Sequence, residues 1–161
     1  MDSLISGIRK NYPKIKLSPS TSYYWSPETN EIFYNESAYD KLAEWSLLHE
    51  VGHALLNHKS YDTDYMLIRL EVMAWQKAKE IGPKFGIEID ENHIQDCLDT
   101  YRDWIYKRSI CPSCTTKSFQ QSDHKHYRCF NCHMTWRVTP SRFCRAYRTK
   151  EKISLDQKVF I

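Results

Sequence analysis

The chain has 161 residues, 41% hydrophobic and 27% charged, which excludes a disordered polymer and leaves room for one modest core plus a small appendage. Its 4 glycines form no Gly-rich phosphate loop, and no apolar run approaches the length of a membrane span. The net charge of +3 is unevenly divided: residues 1–107 carry 12 Lys and Arg against 17 Asp and Glu, residues 108–161 carry 11 against 3, and the basic part is expected to face an anionic partner.

Leu4, Ile5 and Ile8 share one face of a short leading helix that stops before Pro13. Lys14 to Leu17 alternates and reads as a strand. Thr21 to Trp25 and Glu31 to Tyr34 flank a polar turn containing Pro27 and Asn30, the pattern of a hairpin, with Tyr23, Trp25, Phe33 and Tyr34 in the sheet core. A first long helix is expected from about Ser37 to His58, packed through Leu42, Trp45, Leu48, Gly52, Leu55 and Leu56. Gly52 lowers helix propensity by about 1 kcal/mol relative to Ala, so another backbone is expected to pass close to it. A second helix follows Asp64 and ends at Gly82-Pro83. A third follows Asp90, with Ile94, Cys97, Leu98, Tyr101, Trp104 and Ile105 at helical spacing.

The first long helix carries His49-Glu50-x-x-His53. Imidazoles four residues apart lie on one helix face and can share one Zn²⁺, while Glu50 reaches a water beside the metal without ligating it. In the second helix the apolar stripe Leu67, Leu70, Ala74, Trp75, Ala78, Ile81 is interrupted by Glu71. A carboxylate on a core-facing stripe is costly unless paired or bound to metal, so Glu71 is read as the third zinc ligand. The alternative is a buried Glu paired with a cation. His58 does not complete the longer H-E-x-x-H-x-x-G-x-x-H pattern, since Leu56 and Lys59 stand at its Gly and His positions. His58 is expected at the C-terminal end of the first helix, with a partly positive ring suited to the helix dipole, and Asp62 and Asp64 are expected as N-caps of the second.

Cys111-x-x-Cys114 and Cys129-x-x-Cys132 are two knuckles separated by fourteen residues, a spacing suited to a closed Cys₄ zinc site. A module this small needs its metal to fold. Cys144 is left over as a free thiol. Around and after the knuckles, cations interleave with aromatics. Arg128, Trp136, Arg137, Arg142, Arg145 and Arg148 are the candidate nucleic-acid contacts, with Phe143, Tyr147 or Trp136 stacking on bases. A solvated basic arm is the plainer alternative.

His49-Glu50-x-x-His53 followed by Glu71-x-x-Ala74-Trp75 resembles the gluzincin clan of zinc metallopeptidases, and is most similar to the small single-domain members called minigluzincins. The resemblance covers roughly residues 20 to 82. It implies a small α+β zincin-like domain, with a sheet over an active-site helix and a glutamate helix, and a cleft that a C-terminal segment covers in latent members. The cysteine segment resembles a zinc ribbon, and the order of the two parts is similar to SprT-like DNA-associated proteases, whose third ligand is expected to be His. ImmA/IrrE-type regulatory peptidases also carry H-E-x-x-H near a Glu-bearing helix.

The expectation is therefore a zincin-like domain over 1–108, a Cys₄ zinc ribbon with a basic arm over 109–150, and a tail over 151–161. Two zinc ions are expected per chain, one catalytic and one structural. The expected activity is endopeptidase cleavage of a protein or peptide, with Glu50 as general base and Tyr101 as a candidate oxyanion donor. The rival is a non-catalytic adaptor that binds DNA, RNA or protein through its ribbon. The first ten residues lack the apolar core of a signal peptide, so the expected location is the cytoplasm, where the 6 Cys serve as ligands or thiols, with no membrane partner.

Overall fold

The computed structural model describes residues 1–139 and 148–151. It divides into two compact units, Met1–Tyr61 with Tyr65–Leu98, and Asp62–Asp64 with Asp99–Ile161. The class is α+β, a zincin-like domain followed by a cysteine-cluster ribbon.

In the first unit, helix α1 (Asp2–Asn11) buries Leu4, Ile5 and Ile8, the face its periodicity predicts. Strands β1 (Lys16–Ser20), β2 (Tyr24–Ser26) and β3 (Glu31–Asn35) form a sheet in the order β1-β3-β2. The predicted hairpin is the antiparallel β2/β3 pair, and β1 runs parallel to β3. Leu17, Ile32 and Tyr34 point to the core, whereas Tyr24 and Phe33 stack on each other at 4.5 Å.

Helix α2 (Lys41–Leu55) begins later than the sequence predicts, because Asp40 caps it by accepting from the Ala43 N–H at 2.8 Å. Leu47, Leu48 and Val51 are fully buried, each stabilising by about 1.5–3 kcal/mol, and they fix how α2 is rotated about its axis. That rotation sets where His49, Glu50 and His53 point.

Helix α3 (Asp64–Ile81) buries Leu67, Glu71, Ala74, Trp75, Ala78 and Ile81, so the predicted stripe is the buried one except at half-buried Leu70, and Glu71 lies in it. A Cβ on Gly52 would stand 2.4 Å from the Ala74 carbonyl oxygen, so the expected close approach at this glycine is made by α3. A 3₁₀ turn (Gly82–Phe85) leads on to α4 (Glu91–Ser109). None of the described helices is long and apolar enough to cross a membrane.

In the second unit, β4 (Phe119–Gln120), β5 (His126–Arg128), β6 (Thr135–Val138) and β7 (Arg148–Glu151) form an antiparallel sheet in sequence order. Its small core is Cys111, Tyr127, Cys129 and Trp136. Asp64 departs from expectation. It is the first residue of α3, and its carboxylate accepts from Arg108 Nε at 2.7 Å and from the Tyr127 hydroxyl, all three groups buried. A charged group removed from water gains more from an ion pair than from capping a helix. Arg108 also donates to the Thr139 carbonyl and packs over the Trp104 ring at 4.1 Å.

Candidate metal centres

Two helices of the first unit bring three ligand atoms together. His49 Nε2 lies 3.1 Å from Glu71 Oε2, His53 Nε2 lies 3.1 Å from His49 Nε2, and His53 Nε2 lies 3.6 Å from Glu71 Oε2. Donors at about 2.0–2.2 Å around a tetrahedral zinc stand roughly 3.3–3.5 Å apart, so the triangle fits that ion. Three protein donors leave a fourth position for water or substrate, as in catalytic rather than structural sites. Burial alone would raise the Glu71 carboxyl, but hydrogen bonds with His49 and His53 outweigh it and hold the group well below the usual carboxylate range. The carboxylate is therefore ionised, as a ligand must be.

The surroundings hold the rings. His49 stacks on Trp75 at 4.2 Å, and Trp75 meets His93 edge-on at 5.6 Å. Glu50 is half-buried, with its carboxylate close to His49, His53 and Glu71. Desolvation raises its carboxyl above the ordinary value, opposed by the charges of His49 and His53 and by a hydrogen bond from the Trp25 backbone. Strand β2 thus borders the site, and the Trp25 indole N–H donates to the His58 carbonyl at 2.8 Å.

His58 corrects the sequence expectation. Helix α2 has already ended, and Asn57 adopts a left-handed conformation with φ 52°. The His58 N–H then bonds the His53 carbonyl at 3.0 Å and the Asn57 N–H bonds that of Ala54 at 3.1 Å, the paired bonds of a Schellman motif. The turn folds the His58 ring back under the helix end, where its Nδ1 lies 2.9 Å from His53 Nδ1. Burial and the neighbouring His53 push the His58 pKa down to about 4, so the ring is neutral rather than a cation on the helix dipole.

The second centre repeats one local motif. In each knuckle the first cysteine's carbonyl accepts from the N–H four residues on, Thr115 or His133, at 3.0 Å. Both of those residues are left-handed, with φ 61° and 60°. The sulfurs converge at 3.6 Å (Cys111 to Cys132), 3.4 Å (Cys114 to Cys129) and 3.5 Å (Cys114 to Cys132). Four thiolates at about 2.3 Å around zinc would be roughly 3.8 Å apart, so this cluster also fits the ion. Hydrogen bonds with the Thr116 hydroxyl and backbone pull the Cys114 thiol down, whereas its bonds to the other three sulfurs help push the Cys132 thiol up, so the cluster titrates as one set.

The other predicted site residues fall out unevenly. Tyr101 sits on the part of α4 grouped with the ribbon. Trp136 has no exposed surface, and its indole N–H donates to the Arg108 carbonyl at 3.1 Å, so stacking on bases is closed to it. A ribbon this small needs a large aromatic as core. Arg128 and Arg137 are exposed. Arg148 begins β7, while Arg142, Phe143, Cys144, Arg145 and Tyr147 lie outside the described residues. Sequence reading missed Phe119, which is 81% exposed and pairs across the sheet with Arg128. An aromatic alternating with half-buried Gln120 was the available signal.

Residues 5–76, a little under half the chain, match the family model of the IrrE N-terminal-like domain, a peptidase family designated M78. The matched stretch contains His49, Glu50, His53 and Glu71, so the chain is similar to that family over the segment that builds the first centre. No curated protein and no solved structure matches the chain.

Proposed function

We propose that the chain is a zinc-dependent endopeptidase in which His49, His53 and Glu71 hold the ion and Glu50 is the general base. The observation that carries this reading is the convergence of two imidazole nitrogens and one carboxylate oxygen from two helices, at 3.1–3.6 Å, beside a second carboxylate. Similarity to a peptidase family over the same residues supports it. Zinc bound there supplies Lewis acidity towards a peptide carbonyl and makes water easier to deprotonate. Glu50 takes the proton of the attacking water and returns it to the leaving amine, a task suited to a carboxyl raised by desolvation. Strand β2 is an edge of its sheet beside the site, with the Trp25 backbone bonded to Glu50, and an extended substrate backbone pairing with β2 displaces that bond.

The substrate class is a protein, and the family similarity favours a regulatory peptidase with a single target over a digestive one. The ribbon holds the second zinc ion through Cys111, Cys114, Cys129 and Cys132 and serves as the recruiting part. On its outward sheet face exposed Phe119 lies opposite Arg128, and Arg137 lies opposite His126. That pairing of a stacking ring with cations suits DNA or RNA. The proposed location is the cytoplasm.

Glu50→Gln tests the assignment. The variant is expected to bind zinc like the parent and cleave nothing, and retained turnover would refute Glu50 as the base. Nucleic-acid binding is tested by titrating the protein with single-stranded DNA at increasing salt. A steep fall in affinity with salt, and a loss in Phe119→Ala, supports the ribbon reading. Salt-independent or absent binding refutes it.

A further inference from the structure

We infer that His58 is a positioning residue that fixes the tautomer of the zinc ligand His53, an inference that rests on the metal centre proposed above. An imidazole ligates through the nitrogen that carries a lone pair, so its proton must sit on the other nitrogen. His53 turns Nε2 towards His49 Nε2 and Glu71 Oε2, which makes Nε2 the ligating atom. The proton therefore belongs on Nδ1, and His58 Nδ1 lies 2.9 Å from that atom.

A hydrogen bond between two ring nitrogens can run in either sense. If His58 donated, the His53 proton would move to Nε2, point into the ligand triangle and remove the lone pair that binds metal. Only the sense in which His53 donates and His58 accepts is compatible with ligation. His58 then carries its own proton on Nε2, a buried atom with no hydrogen-bond partner among the described residues.

The backbone holds His58 in this role. Its N–H is bonded to the His53 carbonyl and its carbonyl accepts from the Trp25 indole. These two bonds fix the His58 backbone beside the helix end, from where its ring reaches His53 Nδ1. The two histidine ligands are consequently oriented by different means. His49 has no hydrogen-bond partner for its buried Nδ1 among the described residues and is held by stacking on Trp75, whereas His53 is held by an acceptor. Outer partners of this kind raise metal affinity by orienting the ligand ring and increasing its basicity.

The test is zinc competition against a chromogenic chelator with the full chain, the Cys₄ site serving as an internal reference. Wild type is expected to hold two ions. His58→Phe keeps the ring's bulk without an acceptor, and is expected to weaken one site by about 10–100-fold while leaving the other unchanged. His58→Asn places Oδ1 where Nδ1 stood and is expected to restore most of the affinity. Nitrogen-15 NMR of the zinc-loaded wild type reads the tautomer directly, and His53 is expected to be protonated on Nδ1. Unaltered affinity in His58→Phe, an equal loss in His58→Asn, or a proton on His53 Nε2 would each overturn the inference. A wild type that binds one ion and keeps it in Glu71→Ala would overturn the metal centre itself, and this inference with it.

Discussion

The carbonyl oxygen of Ala74 occupies the space that any side chain on residue 52 would need, 2.4 Å from an ideal Cβ on Gly52. Gly52 precedes His53, and Ala74 lies three residues after Glu71, so this backbone approach of α2 to α3 sets the spacing of the ligand triangle. Gly52→Ala is expected to push the helices apart and to destabilise the protein by about 1–3 kcal/mol, as overpacking does. Urea unfolding and zinc content measure both effects. A variant as stable and as zinc-rich as the parent would show that the approach does not set the site.

Removing Glu71 separates the two centres. Glu71→Ala is expected to lower zinc content from two ions per chain to about one, because the four thiolates keep theirs. Elemental analysis after gel filtration gives the count, and two retained ions would exclude Glu71 as a ligand.

Asn57 stands at a φ of 52°, where a β-branched residue is strained. Asn57→Gly is expected to be nearly neutral, and Asn57→Val to cost about 1–2 kcal/mol. The Val variant should also bind zinc more weakly at one site, because the turn that presents His58 is lost. Equal melting temperatures for the two variants would contradict this account of the turn.

The buried ion pair of the ribbon unit gives a large expected effect. Asp64→Ala strands the Arg108 guanidinium without its carboxylate and is expected to cost about 3–5 kcal/mol. Tyr127→Phe removes one hydrogen bond to the same carboxylate and is expected to cost only about 1 kcal/mol. Denaturant titration of the zinc-loaded proteins ranks them, and a larger loss for Tyr127→Phe would reverse the assignment of Arg108 as the main partner.

The parts of the centre that the sequence made legible share a cause. His49, His53, Glu71 and Gly52 each broke or completed a pattern within one helix, and helical periodicity carries that information over short distances. The knuckle cysteines were legible for the same reason, since their spacing is itself the geometry. His58 was misplaced because its position depends on one left-handed residue, and Asn at 57 is only a weak signal for a helix end. Trp136 reads as a surface aromatic in the sequence because strand alternation does not say which face is covered. Asp64 looked like a cap because its true partners, Arg108 and Tyr127, are far along the chain.

The chain passes between the two compact units three times, once in the loop after Tyr61, once behind the first residue of α3 and once within α4. Asp64 opens the helix that bears Glu71, yet its charge is neutralised by Arg108 and its carboxylate is bound by Tyr127. A gene fusion that exchanged everything after Leu98 would cut α4 and take Arg108 and Tyr127 away from Asp64, which belongs to the same unit. Asp64 should therefore be inherited with Arg108 and Tyr127, although more than forty residues of chain separate it from the first of them.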